Sequence, residues 1–180
     1  MLEKFREITS KIFNLNVEIR KRKDRNIFKF RKSVTKLSST LRNLDFEFGG
    51  EPVPPFWCRT LQLFGAYLAG IIDGDGNIRI IGQKTKYPQC VVKISSGEKQ
   101  TTLSEIIKNF FNCSSRIIER DEINNLKGKL IHGKWYELEF YVSSKNYSFF
   151  DKYVIPYLTI NYKKDKLQSF ILNRWSGVVV

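Results

Sequence analysis

The segment Phe64–Ile80, FGAYLAGIIDGDGNIRI, constrains the fold most, because it contains a helix, the end of that helix and the start of a strand. A strongly apolar run from Leu61 to Ile72 predicts a buried helix. Gly74 and Gly76 follow it, and glycine adopts the backbone angles that end a helix at little cost. The alternating run from Asn77 then predicts a strand. The chain must therefore bury a helix that passes directly into a sheet.

Small residues and acids share one side of this predicted helix. Ala66, Ala69 and Gly70 are three and four residues apart, which places them on one stripe where a second helix could approach closely. Asp73 lies one turn further along that stripe, and Asp75 is expected just past the helix end. A carboxylate at this point can hold a hard divalent cation such as Mg²⁺ through oxygen.

The acidic sequence at the helix end also has the opening spacing of a calcium-binding loop. Asp73, Asp75 and Asn77 match its first ligand positions, but Ile78 replaces the required glycine and Lys84 replaces the closing glutamate. An EF-hand is therefore excluded. An isolated Asp-Gly pair at a helix end is also frequently only a turn, so the acids alone do not prove a metal site.

Other familiar sites are not supported. Gly74 and Gly76 follow a helix rather than a strand and lack a third glycine, which excludes a dinucleotide-binding turn. The cysteines Cys58, Cys90 and Cys113 show no C-x-x-C spacing, and one histidine provides no zinc cluster. We expect three buried, reduced thiols.

The remaining pattern predicts an α+β protein. Helices are expected at Leu2–Leu15, Ser33–Leu44, Leu103–Phe111, Lys145–Tyr153 and Lys163–Trp175. Strands are expected at Val17–Lys21, Ile27–Arg31, Asn77–Gln83, Gln89–Ser95, Arg116–Arg120 and Trp135–Val142. The last two strands would flank a polar loop that contains Asn124, Asn125, Gly128 and Gly133.

Two stretches share the order helix, hairpin, helix. KIFNLNVEIRKR in the first stretch parallels NFFNCSSRIIER in the second, and IFKFRKSVTKLSSTL parallels YELEFYVSSKNYSFF. The alternative is that two amphipathic units of this kind resemble each other by chance. We predict a helix-hairpin-helix unit at 1–50 that is a partial repeat, a proline-containing connector at 51–60 and a main domain at 61–180.

The chain carries a large excess of positive charge. Its net charge of +13 is spread along the sequence, which favours a polyanionic partner, although a basic soluble surface without nucleic acid is the simpler alternative. No signal peptide or apolar run of membrane-spanning length is found, so we expect an intracellular protein with no membrane partner.

The string LAGIIDGDG at Leu68–Gly76 resembles the motif LAGLIDADG of homing endonucleases, with Ile71 in place of Leu and Gly74 in place of Ala. The likeness continues through two hairpins and a helix to the closing PYLTINYKKDKLQSFILNRW, and covers about Gln62–Trp175. It implies the LAGLIDADG fold, αββαββα, in which an antiparallel saddle-shaped sheet lies on DNA. It also implies a metal-dependent nuclease that hydrolyses both strands of a long duplex target.

The resemblance implies roles for particular residues. Asp75 occupies the place of the metal-binding acid, the carbonyl of Gly74 is a further ligand, and Asp73 caps or braces the helix pair formed through Ala66, Ala69 and Gly70. Lys163 or Lys164 would stabilise charge at the phosphate, although Asn161 aligns as well with the family's basic residue. Ser96 would position water. Mg²⁺ is the expected cofactor, and Ca²⁺ is expected to fill the site without supporting cleavage.

Residues on the implied DNA-facing surface follow from strand alternation. Arginine suits guanine, glutamine suits adenine, and Glu137 or Glu139 could accept from cytosine. A solvated sheet face is the alternative for each. The predicted DNA-binding residues are Arg79, Gln83, Lys93, Arg116 and Arg120 in the main domain, and Arg20, Arg22, Lys29 and Arg31 in the first unit.

One motif is present, whereas cleavage of both strands needs two active sites. The chain either forms a homodimer or is completed by a second polypeptide, and its start at Met1 favours self-pairing. The absence of splice-junction residues favours a freestanding intron-encoded product. Two other functions stay open: an RNA maturase that helps an intron to splice, and a catalytically silent DNA-binding protein of the same fold.

Overall fold

The computed structural model describes residues 6–7, 10–11, 18–21, 28–31, 35–47, 49–126 and 129–175. It divides into two compact units, Met1–Phe46 and Glu47–Val180. Within the described ranges, no helix has both the length and the apolar character needed to cross a bilayer.

The first unit contains a hairpin followed by a helix. Strand β1 (Glu18–Lys21) pairs antiparallel with β2 (Phe28–Arg31), with Ile19 opposite Phe30. Helix α1 covers Thr35–Asn43. The predicted hairpin and second helix are thus confirmed over these ranges, whereas Val17, Ile27, Ser33 and Val34 lie outside the described residues. Of the predicted helix Leu2–Leu15, residues 6–7 and 10–11 are helical, and the rest lies outside the described residues.

The second unit alternates helices with antiparallel hairpins. Its long helices are α2 (Leu61–Asp75), α3 (Thr101–Phe111) and α5 (Asn161–Trp175). Its strands are β3 (Gly76–Ile81), β4 (Gln89–Ser96), β5 (Ser115–Leu126) and β6 (Lys129–Val142). Short helical segments are Phe56–Cys58, α4 (Tyr147–Phe149), a π-helical turn at Phe150–Val154 and a 3-10 turn at Ile155–Tyr157.

The four strands form one antiparallel sheet in the order β3-β4-β6-β5. Because side chains alternate along a strand, Ile78, Val92 and Leu138 point to one face and enter the core. We call the opposite side of the sheet the outer face. Its members are Asn77, Arg79 and Ile81 on β3, Gln89, Val91, Lys93 and Ser95 on β4, Trp135, Glu137, Glu139 and Tyr141 on β6, and Arg116, Ile118 and Arg120 on β5.

The core is rich in phenylalanine. The ring of Phe64 in α2 lies 4.3 Å from that of Phe110 in α3, measured between centroids, and Phe111 lies 4.7 Å from Phe149. Gly65 lets α2 pack closely against the π-helical turn that contains Tyr153. A Cβ at this position would lie 2.3 Å from the carbonyl oxygen of Tyr153. These contacts fix the helix that carries the motif against the sheet.

Helix α2 is longer than its apolar run predicts. It was expected to stop before Gly74, with Asp75 beyond its end, but it continues through Asp75, and the N–H of Gly76 donates to the carbonyl of Ile72. Gly76 then begins β3 at φ −88°. A Cβ at Gly76 would lie 2.5 Å from the Cα of Ile72, so close approach, and not an unusual φ, requires this glycine.

The second hairpin differs most from its prediction. Asn124, Asn125 and Gly133 were expected in a polar loop, but β5 continues to Leu126 and β6 begins at Lys129. Gly128 lies outside the described residues. Among the β6 residues whose side chains are described, Gly133–Glu137 lie outside the core and Leu138 is the first buried hydrophobic residue, so this part of the strand does not need the alternation that marks a half-buried strand.

The predicted helix Lys145–Tyr153 is also irregular. Regular helix is confined to Tyr147–Phe149, because the side chain of Asn146 forms the preceding turn: its Oδ1 accepts from the N–H of Ser143 at 2.8 Å, and its Nδ2 donates to the carbonyl of Tyr141. The chain then widens into the π-helical turn.

Glu51, in the predicted connector, belongs to the second unit. Its Oε1 accepts from the N–H of Leu103 at 2.6 Å and so satisfies a free donor at the start of α3. All three cysteines are free, but only Cys58 and Cys90 are buried, whereas Cys113 is half-buried because it follows α3 near the surface. Burial raises the pKa of Cys90 to about 12, so this thiol stays protonated.

Candidate functional site

Helix α2 has a buried side and an exposed side. Phe64, Leu68 and Ile72 are buried in the core, and Ala69 and Asp73 are buried with them. Of the four residues predicted at a helix–helix interface, Ala69 and Asp73 therefore lie inside this chain's own fold. Ala69 and Asp73 were predicted to face a partner helix, but they face the core. Helical spacing alone does not show which small residues face the sheet.

The exposed side of α2 nevertheless carries small residues. Gly70 and Gly74 are exposed, and a Cβ at either would meet nothing within 4 Å. Ala66 and Tyr67 are half-buried beside them, and Leu63 is exposed on the same side. We call these five residues the α2 outer stripe. Because its two glycines are four positions apart and so lie on the same side of the helix, a second helix could lie against the backbone there.

Asp73 ties the end of α2 to the start of α5. Its Oδ2 accepts from the N–H of Thr159 at 2.6 Å and from the hydroxyl of the same residue at 2.7 Å, and its Oδ1 accepts from the N–H of Ile160 at 3.3 Å. This agrees with the expected capping role, but the helix that it braces belongs to the same chain.

Lys163 makes the reciprocal contact from α5. Only 4% of Lys163 is exposed, and its Nζ donates to the carbonyl of Ile72 at 2.6 Å and to that of Asp73 at 3.1 Å. These carbonyls lie at the end of α2, where a positive charge is favourable. Burial lowers the pKa of Lys163, and the nearby charges of Asp73 and Asp75 oppose that effect. We call the two sets of contacts the Asp73–Lys163 bridge.

Asp75, the predicted metal-binding acid, is the last residue of α2 and is exposed. The neighbouring Gly74 is exposed as well. Within the described part of the chain, no group of three or more His, Cys, Asp or Glu residues could hold a metal ion. A single exposed carboxylate with a neighbouring carbonyl fits Mg²⁺, which keeps several waters and uses one or two carboxylates together with substrate phosphate.

The other predicted catalytic residues lie on the elements beside this point. Ser96 is half-buried at the end of β4, two residues past Ile94, which pairs with Gly76, and its Oγ accepts from the N–H of Glu98 at 3.2 Å. Lys164 is half-buried in the first turn of α5, and Asn161 is exposed at its start. Of the two predicted lysines, Lys163 is the one whose ammonium group donates to the carbonyls at the end of α2.

The predicted DNA-contacting residues in and after β3, Arg79 and Gln83, are exposed. Arg79 is exposed on the outer face, and Gln83 is exposed in the turn after β3 rather than in the strand, because Gly82 leaves the strand at φ +67°. Arg22 lies outside the described residues. Arg20 lies on β1, and Lys29 and Arg31 lie on β2.

The remaining outer-face cations are paired with acids. Lys93 contacts the carboxylate of Glu139 and lies 3.6 Å from that of Glu137. Arg116 lies 2.5 Å from Glu139, and Arg120 lies 3.1 Å from Glu137. Both glutamates were predicted as possible acceptors from cytosine. Side-chain exposure is only 2% for Glu139, so this carboxylate is turned to its cations and not to solvent.

Two features of the site could not be seen in the motif. Thr159 supplies two donors to Asp73 although it lies 86 residues away. Glu139 is nearly buried although it lies on the outer face of the sheet. Strand alternation places Glu139 on the outer face, but only the register of β4, β6 and β5 brings Lys93 and Arg116 beside it.

No known family profile matches the chain, and no curated protein matches it. Among solved structures, two of meganuclease I-SmaMI bound to uncleavable DNA match at 17% and 15% identity with a TM-score of 0.38 each. They cover 70% and 81% of this chain but only 42% and 46% of their own, so the chain spans less than half of those proteins.

A third solved structure gives a stronger likeness. This double lysine-to-alanine mutant of I-SmaMI matches with a TM-score of 0.55 at 13% identity, over 98% of this chain and 78% of the mutant chain. I-SmaMI is a LAGLIDADG homing endonuclease. The order of helices and hairpins, the four-stranded antiparallel sheet and this match together show that the chain has the LAGLIDADG homing-endonuclease fold.

Proposed function

We propose that this protein is a site-specific DNA endonuclease of the LAGLIDADG type. It would bind duplex DNA on the outer face of the sheet and hydrolyse a phosphodiester bond beside Asp75. The observation that carries this proposal is the position of Asp75: an exposed carboxylate at the junction of α2 with β3, where the outer face begins. The fold likeness to I-SmaMI and the net charge of +13 support it.

Asp75 would hold Mg²⁺ through its carboxylate, with the carbonyl of Gly74 as a second protein ligand. Bound there, the metal would polarise the phosphate and lower the pKa of a water molecule. A site with one carboxylate needs further oxygen ligands from phosphate and water, which suits DNA as the substrate. Ca²⁺ would compete for the same oxygens without supporting cleavage.

The other residues of this chain would position and neutralise. The Asp73–Lys163 bridge holds the last turn of α2, and therefore the Asp75 backbone, against the start of α5. Lys163 would act through this contact, whereas Lys164 is the candidate for direct charge stabilisation at the phosphate. Ser96 would hold a water molecule with its hydroxyl group.

A second active site would come from pairing of two chains through the α2 outer stripe. The exposed Gly70 and Gly74 leave room for the backbone of a second α2 helix, and such a pair would bring two Asp75 carboxylates together. We propose a homodimer, because the sequence holds one LAGLIDADG-like string and cleavage of both DNA strands needs two acids. Completion by a different polypeptide is the competing outcome of a mass measurement.

The function can be tested without knowing the natural target. The protein is incubated with a randomised duplex DNA library in Ca²⁺, bound DNA is recovered through several rounds, and the enriched duplex is then supplied with Mg²⁺. We expect enrichment of one long sequence and double-strand cleavage that EDTA abolishes. Enrichment of DNA that Mg²⁺ never cleaves would contradict the nuclease and support a silent binding protein, and binding confined to structured RNA would support a maturase.

A further inference from the structure

The outer face carries two arginines that are held in the same way. On β5, Nε of Arg116 donates to Oε2 of Glu139 at 2.6 Å, and Nη2 of Arg116 lies 2.5 Å from the same oxygen. Four residues along the strand, Nε and Nη2 of Arg120 each donate to Oε2 of Glu137 at 3.1 Å. Each guanidinium is therefore held to a glutamate of β6 through Nε and Nη2, which form its side edge.

This arrangement leaves the end of each guanidinium free. Where the structure describes side chains, Nη1 of Arg116 and of Arg120 makes no hydrogen bond or ion pair. Side-chain exposure is 64% for Arg116 and 47% for Arg120, so these ends face solvent. The two glutamates do not face solvent in this way, because the side-chain exposure is 2% for Glu139 and 13% for Glu137.

Lys93 anchors both glutamates from the other side. Its Nζ contacts Oε1 of Glu139 and lies 3.6 Å from Oε2 of Glu137. Glu139 is consequently held between β4 and β5, which limits its movement. An arginine attached to such a carboxylate has already lost much of the rotational freedom that binding would otherwise cost.

We propose that Arg116 and Arg120 read two guanines in the DNA target, and that Glu139 and Glu137 are the positioning residues that orient them. The inference rests on the proposed binding of duplex DNA to the outer face. Guanine presents O6 and N7 together in the major groove, and the end of a guanidinium donates to both at once. A phosphate is the poorer partner, since each arginine already has a carboxylate on its side edge that repels a second anion.

The spacing of the arginines fixes the spacing of the bases. They are four residues apart on the same side of one strand, and at about 3.3 Å per residue this is about 13 Å. The rise between base pairs is about 3.4 Å, so the two guanines are expected about four base pairs apart in each half of the target. The nearly buried Glu139 also makes the Arg116 position the more strictly specified of the two.

The test is a base-preference profile from a randomised duplex library, measured for the intact protein and its variants. For the wild type, we expect two positions about four base pairs apart at which guanine is preferred about tenfold to a hundredfold. Arg116→Lys should weaken one preference and Arg120→Lys the other, because lysine lacks the rigid fork that pairs with guanine O6 and N7, while overall affinity changes little because each charge is kept. Lys108→Gln, an exposed position on α3, is the matched control and should leave both preferences intact.

Glu139→Gln separates positioning from a merely structural role. The variant removes a negative charge from the outer face, so we expect tighter binding to arbitrary DNA together with weaker guanine preference at the Arg116 position. Thermal unfolding measured in parallel reports whether the variant folds. Weaker binding to all sequences with the guanine preference intact would overturn the positioning role.

The outcome also distinguishes this inference from the proposed function. Enrichment and cleavage of a target without paired guanine preferences, or with preferences that Arg116→Lys and Arg120→Lys leave unchanged, would overturn the reading of guanine and leave the nuclease intact. Failure of the wild type to enrich any duplex would overturn both.

Discussion

The ammonium group of Lys163 donates a hydrogen bond to the carbonyl of Asp73 at 3.1 Å. In return, the carboxylate of Asp73 accepts hydrogen bonds from the backbone N–H groups just before the helix that carries Lys163. Each residue thus satisfies free backbone groups at the other's helix end. Asp75 lies two residues beyond Asp73 in the same last turn of α2. The contact therefore holds the backbone from which the proposed metal-binding carboxylate projects.

The bridge predicts a stability role for Lys163. Lys163→Met keeps the length of the buried side chain but removes the donor to the carbonyls of Ile72 and Asp73, so the free energy of unfolding should fall by about 1–3 kcal/mol. Urea denaturation measures this loss. Lys164→Met, at the half-buried neighbouring position, should cost less than about 0.5 kcal/mol. Equal stability of Lys163→Met and the wild type would contradict the bridge.

The close approach of α2 to Tyr153 predicts a position-specific effect of an added methyl group. In Gly65→Ala the new Cβ would lie 2.3 Å from the carbonyl oxygen of Tyr153, which is backbone and cannot turn away. We expect destabilisation of about 1–3 kcal/mol, seen as a lower melting temperature. Gly70→Ala, where nothing lies within 4 Å, is the matched control on the same helix and should melt no lower than the wild type.

Glu139 predicts a dependence of stability on pH. Burial alone would raise the pKa of Glu139, but hydrogen bonds and charges from Lys93 and Arg116 outweigh it and leave the pKa below its ordinary value of 4.5. A carboxylate whose pKa is lowered by folding stabilises the protein above its unfolded pKa, and that contribution is lost as the pH falls through the folded pKa. Stability should therefore decline below about pH 4.5.

Glu139→Gln tests this decline, because the amide does not titrate. Denaturation curves at a series of pH values should show a shallower loss of stability below pH 4.5 for the variant than for the wild type. Glu105→Gln, an exposed position on α3, serves as the control and should keep the wild-type slope. If stability falls equally steeply with pH in the wild type and in Glu139→Gln, the paired carboxylate does not cause the loss of stability at acid pH.

The α2 outer stripe predicts the state of association. Gly70→Phe would place a ring where the proposed partner helix approaches, without disturbing the core, since the position is exposed. Light scattering with DNA should give two copies per duplex for the wild type and one for Gly70→Phe. Ser169→Phe adds the same ring at an exposed position of α5 and should still pair. If the wild type binds as a single copy, the homodimer is wrong.

Much of the fold could be predicted from local pattern. The apolar run of α2, its closing glycines and the alternation of β3 lie within one segment, so sequence spacing was enough to place them. The full lengths of β5 and β6 were missed because the sequence from Asp121 to Lys134 lacks the regular alternation of apolar and polar residues that predicts a strand.

The geometry of the site was harder to predict, because it depends on contacts between distant segments. Thr159 is 86 residues from Asp73, and no local pattern joins them. The side of α2 that faces the core follows from packing against the sheet, which is why Ala69 was placed on the wrong side and Gly74 was not included in the stripe. The motif predicted the candidate residues but not what each one contacts.

We expect the carboxylate of Asp75 to be required for cleavage and not for binding. Once a duplex has been enriched, cleavage and binding are measured on it for the wild type, Asp75→Asn and the exposed control Asp165→Asn. Asp75→Asn should cut at least about a hundredfold more slowly in Mg²⁺ and bind DNA within a few-fold of the wild type, while Asp165→Asn cuts normally. Cleavage by Asp75→Asn at the wild-type rate would show that this carboxylate does not hold the catalytic metal.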